Sequence, residues 1–239
     1  MVGILEQDRN LQRITILGTT HVDKSSVERV RLTISQVHPS VVAVELDEDR
    51  LFALRDPDRG KLDSPIRSGL LPWLMALLER SVGSLTDVFP GSEMLEAVDE
   101  AERVGAKTIM IDRPIQSILK EIREVPLLER LKIGLDVLVA LFAISTRRQT
   151  TQLTKLDLDE LITEFETKYP TLFRILVNER DRYMADRLQE IPESTTGPVI
   201  AVVGLGHVKG VKQHLAHGRQ AHSMAEYGLR YEWTLSSSS

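Results

Sequence analysis

The chain has 239 residues, of which 42% are hydrophobic and 27% are charged, a balance typical of a globular protein with one large core. Its 30 basic and 35 acidic residues give a net charge of −5, so no excess of basic charge marks a nucleic-acid partner, and we predict none. Cysteine is absent, which excludes disulfides and thiolate metal sites and leaves histidine and carboxylate as metal ligands. The first ten residues lack the regions of a signal peptide, and the apolar run Val137–Ile144 is too short to span a membrane. We therefore expect a cytoplasmic protein, or one on the cytoplasmic face of a membrane.

The first predicted unit is a strand, a helix and a second strand. Polar and apolar residues alternate at the start of Arg13–Gly18 and a continuous apolar stretch follows, which indicates a strand. A helix with apolar residues at spacings of three and four follows. Val41–Glu45 is a second, continuously apolar strand, as expected when both faces of a sheet are covered. The unit predicts a right-handed βαβ arrangement with parallel strands, in which His21 and Glu45 follow strand ends on the same edge.

Three further segments complete the predicted sheet. Ser92 has the character of an N-cap for a helix that ends at Gly105, and Lys107–Asp112 is the strand that follows. Pro198–Val203 is the fourth strand, and Arg230–Leu235 is a candidate edge strand. We predict an α/β fold with a mixed, largely parallel sheet of about four to six strands and covering helices.

The predicted sheet strands enclose a long helical insertion. Residues from about 115 to 191 show helical patterns without strand signals, so we predict one domain over residues 1–235 with this insertion and a disordered tail at 236–239. Within the insertion, apolar residues recur at spacings of three and four, which is typical of a short heptad seam: Leu128, Leu131, Leu135, Leu138 and Phe142. The seam is either part of the chain's own core or the contact of a homodimer through residues 128–142.

Two copies of a short motif follow predicted strands at opposite ends of the chain. They are Gly18-Thr19-Thr20-His21 and Gly204-Leu205-Gly206-His207, both of the form G-x-x-H. Glycine permits a sharp turn and positive φ, so we predict a tight turn that projects each histidine from the carboxyl end of its strand. Open α/β sheets bind their ligands at that edge. Either histidine alone is typical of a structural role, and the repeated motif makes one shared site an equally good interpretation.

Four side chains that suit catalysis fall at carboxyl ends of predicted strands: His21, Glu45, Asp112 and His207. Two imidazoles and a carboxylate are suitable ligands for Zn²⁺, Mn²⁺, Co²⁺ or Fe²⁺ acting on a bound water. The same groups also suit metal-free acid–base chemistry. Residue types do not decide between these alternatives. The glycines at 204, 206 and 210 do not have dinucleotide-loop spacing, so we predict no nucleotide.

An arginine interrupts an apolar helical stripe within the insertion. Arg180 lies four residues after Leu176 and four before Met184, both of which belong to the stripe. One interpretation is that its stem packs and its guanidinium reaches water. The alternative is that Arg180 points into the crevice, where Glu45 or a developing oxyanion would be its partner.

Six ordered motifs resemble those of the TraB family, which includes pheromone-shutdown proteins, GumN-like proteins and the Tiki proteins. The motifs, found from about Ile14 to Gly218, are Gly18-Thr19-Thr20-His21, Val44-Glu45-Leu46-Asp47, Gly91-Ser92-Glu93-Met94, Ile111-Asp112-Arg113, Asn178-Glu179-Arg180-Asp181-Arg182 and Val203-Gly204-Leu205-Gly206-His207-Val208-Lys209-Gly210. The archaeal branch is the most similar. The resemblance implies a fold akin to the erythromycin esterases and the haem-binding ChaN-like proteins.

The resemblance also implies a function and a set of site residues. Tiki relatives are metal-dependent peptidases, and carrying their motifs over gives His21, Glu45 and His207 as ligands of a divalent Mn, Co or Zn ion. In the esterase relatives a comparable set of two histidines, a glutamate and an arginine acts without a metal ion. Arg180 would be the arginine of that set. From the same motifs we assign substrate binding to Asp112, Arg113, Glu93 and Glu179.

These implications lead to a main hypothesis and two alternatives. The main hypothesis is a hydrolase, a metal-dependent peptidase with a peptide or small-molecule substrate. The alternatives are a metal-free, esterase-like hydrolase and a non-catalytic module that binds or sequesters a peptide or small ligand. Many archaeal members continue into membrane-spanning helices, so a membrane link is expected only if this chain is a truncation.

Overall fold

A computed structural model describes residues 13–19, 24–55, 91–146, 158–191 and 195–217. His21, the segment 56–90, the candidate edge strand Arg230–Leu235 and the predicted tail at 236–239 lie outside these described residues. Among the described helices, none combines the length and hydrophobicity that crossing a membrane requires.

Four parallel strands form the sheet in the described part of the chain, and they confirm the predicted α/β class. They are β1 Ile14–Thr19, β2 Val41–Val44, β3 Lys107–Met110 and β4 Val199–Gly204. Their order is β1-β4-β2-β3, and each pair of neighbours is parallel. β4 therefore lies between β1 and β2, which the sequence presents as consecutive strands. The register aligns the last residue of β1, Thr19, with Gly204 at the end of β4.

Helices connect and cover the strands. They are α1 Lys24–Val37, α2 Glu48–Arg55, α3 Ser92–Val104, α4 Ile115–Arg123, α5 Leu127–Thr146, α6 Leu158–Lys168, α7 Pro170–Phe173, α8 Glu179–Gln189 and α9 Leu205–His217. A π-helical turn, Arg174–Asn178, joins α7 to α8 without a break. Turns of this kind within α-helices are frequent at functional sites.

Alternating residues of the buried strands build a core on each face of the sheet. Val42 and Val44 face one side, where they pack in a cluster with residues of α1 and α3. Val41 and Ala43 face the other side, where they pack with residues of α8 and α9. Because both faces are covered, the central strands are apolar at every position, as the sequence predicts. The same alternation decides which face receives a side chain at the end of each strand.

One predicted helix start was wrong, and another helix start was missed. Ser92 is the first residue of α3 and not its N-cap, because Gly91 occupies the cap position with a φ of 92°, a backbone conformation that glycine adopts readily. The start of α2 was not predicted from the sequence. Asp47 begins this helix by accepting the backbone N–H of Arg50 at 2.9 Å, the hydrogen bond of an N-cap.

The glycines of the two G-x-x-H motifs also differ from the prediction. Among the described glycines, positive φ occurs at Gly91, Gly105 and Gly197 and not in either motif. β4 passes directly into α9, without the predicted turn. Gly18 is needed for space instead, because a Cβ at this position would lie 2.8 Å from Cγ2 of Val208.

The predicted heptad seam begins on an exposed face of α5. Leu128, Leu131 and Leu135 are 75%, 60% and 60% exposed, while Ile133 on another face of the helix is buried in the core of the insertion. The side chains of Leu138 and Phe142 lie outside the described residues. A homodimer through residues 128–142 stays a prediction.

We expect Leu135→Glu to convert a dimer into a monomer of 26.9 kDa in light scattering, because a carboxylate would enter the seam. Leu32→Glu, at an exposed leucine of α1, is the control and should leave the mass unchanged. A wild-type protein that is already monomeric would refute the seam as an interface.

Candidate functional site

The sheet positions Glu45 at its carboxyl end. Val41 and Ala43 face α8 and α9, so Glu45, two residues further on, is directed to the same side. Its Oε2 accepts the backbone N–H of Gly204 at 2.6 Å, and its Oε1 accepts a hydrogen bond from Nη2 of Arg180. The Glu45 side chain is only 5% exposed, so its charge depends on these partners.

Arg180, the second residue of α8, connects the charged groups of this edge. Its Nε donates to Oδ1 of Asp112 at 3.0 Å, and its Nη2 donates to Oδ2 of Asp112 at 2.5 Å and to Glu45. Its Nη1 donates to the carbonyl of Leu176 in the π turn at 3.2 Å and lies 3.1 Å from Nε2 of His207. Every N–H that a guanidinium carries is therefore directed at a partner within the protein.

Asp112 is the buried anchor of that arginine. Besides Arg180 it accepts a hydrogen bond from Nη2 of Arg50 at 2.6 Å and one from the backbone N–H of Arg113 at 2.7 Å. Arg50 is held in turn by Oδ2 of Asp47 at 2.8 Å, and the same Asp47 oxygen accepts the N–H of Ile115 at 2.9 Å. Asp47 thus fixes the starts of α2 and α4 as well as the arginine between them.

His207, the third residue of α9, faces the cluster with both ring nitrogens engaged. Its Nδ1 lies 2.6 Å from Oδ1 of Asp181, and its Nε2 lies 3.4 Å from Oε1 of Glu45 in addition to its contact with Arg180. Asp181 is 3% exposed and occupies space next to Gly210. A Cβ at Gly210 would lie 1.9 Å from Oδ2 of Asp181, so only glycine leaves room for the carboxylate.

Opposite charges keep the two central carboxylates ionised. Burial by itself would raise the pKa of Glu45, but His207 in its protonated form and the permanent charge of Arg180 outweigh it and hold that pKa below its ordinary value. Burial likewise raises the pKa of Asp112, but Arg180 and Arg50 together outweigh burial and hold that pKa well below its ordinary value. Both groups are therefore anions at neutral pH.

The two residues that meet His207 on α8 respond differently to burial. Burial raises the pKa of Asp181 above its ordinary value, and the hydrogen bond with His207 offsets only part of that rise. For Arg180 burial favours the neutral form, but Asp112 and Glu45 reverse this effect and raise its pKa. Arg180 is consequently a fixed cation at the centre of the site.

A second group of ion pairs lies beside the first. Arg113, which is 2% exposed, donates through Nη1 to Oε2 of Glu179 at 2.7 Å and through Nη2 to Glu121. Glu179 also pairs with Arg174 of the π turn. Burial and the neighbouring Glu121 raise the pKa of Glu179, although Arg174 and Arg113 oppose them. This group ties α4 and the π turn to α8.

Four of the residues predicted from the sequence meet in what we term the Arg180 cluster: Glu45, Asp112, Arg180 and His207. Arg113 and Glu179 contact each other in the neighbouring group. Glu93 is buried in the first turn of α3, and its assignment to substrate binding stays a prediction. His21 lies outside the described residues, so its place in the site also stays a prediction.

The roles of Asp181, Arg50 and Asp47 were not predicted from the sequence. Two signals in the sequence point to them. Asp47, followed by acidic residues and then Arg50, has the pattern of a capped helix start. Gly210 lies inside a helix, three residues after His207, where glycine costs about 1 kcal/mol relative to alanine, so a close neighbour on that face is expected.

The described part of the predicted metal site does not fit a divalent cation in this arrangement. The two proposed ligands that the structure describes, Glu45 and His207, both contact the guanidinium of Arg180. A cation held there would lie beside a fixed positive charge and compete with it for both ligands. Within the described ranges, no group of three or more histidine and carboxylate side chains has the arrangement of a metal site.

The fold and the site together define an α/β protein whose parallel sheet carries a buried histidine, arginine and carboxylate cluster at its carboxyl edge. The chain belongs to the TraB/PrgY/gumN family, whose model matches residues 5–222. The resemblance seen in the six motifs is thereby confirmed.

Similar proteins occur in archaea and in mammals. An uncharacterized protein from Methanocaldococcus jannaschii is 31% identical over 217 residues, which cover 84% of this chain and 53% of that protein. TraB domain-containing proteins from Bos taurus and Homo sapiens are 30% and 27% identical over 234 residues, covering 84% of this chain and 62% of each relative. The chain thus spans little more than half of the length of these relatives.

Proposed function

We propose that this chain is a metal-free hydrolase in which His207 acts as the general base toward a water molecule that attacks the carbonyl carbon of an ester or a peptide. The observation that carries the proposal is the placement of Nε2 of His207, 3.1 Å from Nη1 of Arg180 and 3.4 Å from Oε1 of Glu45. A basic nitrogen and a fixed cation are thereby adjacent at the edge of the sheet where α/β proteins bind ligands.

The proposed reaction begins when substrate and water compete with Arg180 for Nε2 of His207. Nε2 takes a proton from the water as the water oxygen forms a bond to the carbonyl carbon, and the carbonyl π electrons move to its oxygen. The oxyanion then re-forms the carbonyl double bond as the C–O or C–N bond breaks, and the electron pair of the broken bond leaves with the departing alcohol or amine. The protonated imidazole then returns its proton to that group.

Arg180 would stabilise the oxyanion at the moment when it forms. The Nη1–H of Arg180 that water displaces from Nε2 is available to the new negative charge, and it cannot return to Nε2 while that nitrogen carries a proton. Asp112 and Glu45 occupy the other side of the guanidinium and keep it in place. This preorganisation supports a catalytic role for the arginine over a purely structural one.

The contact of Arg180 with both Glu45 and His207 is also the reason for preferring the metal-free alternative. We derive no step through a metal ion. His21 is proposed to contribute to the same site, on the basis of its motif alone.

The test is hydrolysis of a panel of p-nitrophenyl esters and short peptides by protein dialysed against EDTA. We expect activity in the chelated protein, and a fall of about 10²- to 10⁴-fold in kcat for His207→Gln, the range for loss of a general base. His214→Gln changes an exposed histidine of the same helix and should retain wild-type activity.

Three results would contradict the proposal. Activity that appears only after Mn²⁺, Co²⁺ or Zn²⁺ is added would favour the metal-dependent peptidase. Tight binding of a peptide without turnover would favour the binding or sequestering module. Equal activity of His207→Gln and wild type would remove the histidine from the chemistry.

A further inference from the structure

Asp181 has no assigned role, yet it makes the shortest contact of His207. Its carboxylate is almost fully buried, and its Oδ1 lies 2.6 Å from Nδ1 of the imidazole. A buried carboxylate that accepts from one ring nitrogen determines which nitrogen of a neutral histidine carries the proton.

The other ring nitrogen gives an independent indication of the same tautomer. Nε2 of His207 lies 3.1 Å from Nη1 of Arg180, and a guanidinium donates hydrogen bonds but accepts none. Nε2 must therefore present its lone pair to Arg180. Oε1 of Glu45 lies farther from Nε2, at 3.4 Å, and already accepts a hydrogen bond from Arg180. With Asp181 accepting at Nδ1 and Arg180 donating at Nε2, these two shorter contacts are satisfied together by a neutral imidazole protonated at Nδ1.

We infer that Asp181 is the positioning residue of the site, because it holds His207 in the tautomer that keeps Nε2 free of a proton. The glycine at position 210 leaves the space that the Asp181 carboxylate occupies. This inference rests on the proposed function, since the tautomer matters because Nε2 is the proposed base. A general base whose proton occupies the wrong nitrogen cannot take another one from water.

Gly210 is the structural evidence that the fold leaves space for the Asp181 carboxylate. Cβ of an alanine there would lie 1.9 Å from Oδ2 and 2.6 Å from Cγ of Asp181, so the carboxylate would have to move. Gly210 and His207 are three residues apart on α9 and thus lie on the same face of the helix. The substitution displaces the carboxylate without changing its charge.

The tautomer is measured directly by the ¹⁵N chemical shifts of the histidine rings, with the His207 signals assigned by their absence in His207→Gln. We expect the neutral ring to be protonated at Nδ1 in the wild type. In Asp181→Asn the amide NH₂ can donate to Nδ1, so a shift toward the tautomer protonated at Nε2 is expected. Gly210→Ala should shift the population in the same direction. The control is Gly134→Ala, at a helical glycine where the added Cβ would have no atom within 4 Å, and it should leave the tautomer population unchanged.

The kinetic expectation is a loss in kcat of about 10²- to 10⁴-fold for Asp181→Asn, with a much smaller change in KM. A wild-type ring protonated at Nε2, or an Asp181→Asn variant with unchanged tautomer or unchanged kcat, would overturn the inference. If Asp181→Asn does not fold, the wild-type spectrum and Gly210→Ala decide. If the wild type hydrolyses nothing, the proposed function fails and the tautomer measurement still decides the role of Asp181.

Discussion

Arg180→Lys is expected to lower kcat/KM by about 10²- to 10³-fold, the range for loss of one oxyanion donor, while the fold and the net charge are retained. Arg180 joins Asp112, Glu45, the carbonyl of Leu176 and His207 through different nitrogens of one planar group. A lysine ammonium is a point charge on a flexible stem and cannot meet these partners at once. We expect it to stay with the carboxylates and to leave the side of His207 without a donor.

The measurement is kcat/KM on the best substrate of the panel, together with circular dichroism to establish that the variant is folded. Arg55→Lys makes the same chemical change at an exposed ion pair with Glu102 and should be indistinguishable from wild type. An Arg180→Lys enzyme with wild-type kcat/KM would show that positive charge alone suffices, and the role proposed for the guanidinium fork would be wrong.

The strands and the Arg180–Glu45 contact could be predicted because both depend on local patterns. A continuous apolar run such as that ending at Val44 indicates a strand covered on both faces, and Glu45 follows it directly. Arg180 interrupts an apolar stripe, so its guanidinium needed a partner near the core. The structure provides that partner, with the side chain of Arg180 only 13% exposed.

The strand order and the partners of His207 could not be predicted from the same patterns. Nothing in the composition of β4 distinguishes a place between β1 and β2 from a place at the edge, because every one of its positions is apolar and buried. Asp181 contacts His207 only because α8 and α9 pack against the same face of the sheet. Arg50 was missed because helix α2, which carries it, was not predicted. These contacts join segments far apart in the sequence, where periodicity carries no information.

Asp112→Asn is expected to reduce the free energy of unfolding at pH 7 by about 3–5 kcal/mol, the cost of removing one partner of a buried ion pair. For a chain of this size that corresponds to a fall in Tm of about 6–20 °C. The side chain of Asp112 has no exposed surface, and both Arg180 and Arg50 donate to it. The amide keeps the shape of the carboxylate, so the loss measures charge and hydrogen bonding and not a cavity.

The dependence of this loss on pH distinguishes an ion pair from simple packing. The pKa of Asp112 is lowered in the folded protein, because Arg180 and Arg50 outweigh the effect of burial. A carboxyl group whose folded pKa is below its unfolded value stabilises the fold above the unfolded pKa, about 3.9 for aspartate, and loses that contribution as the pH falls toward the folded pKa. The difference between wild type and Asp112→Asn should therefore be constant from pH 7 to about pH 5 and shrink below about pH 4.

Urea unfolding at a series of pH values measures that difference, with Asp99→Asn as the matched control. Asp99 forms an exposed pair with Arg55 at 3.9 Å, so its substitution should change the free energy of unfolding by less than about 1 kcal/mol at every pH. Glu45 has a lowered pKa as well, so the wild type itself should lose stability in acid. If the Asp112→Asn difference instead stayed constant down to the lowest pH at which both proteins fold, the stabilisation would not depend on the ionisation of Asp112. The guanidinium of Arg180 would then be held by Glu45 and the Leu176 carbonyl, and the charge of Asp112 would not be the anchor of the cluster.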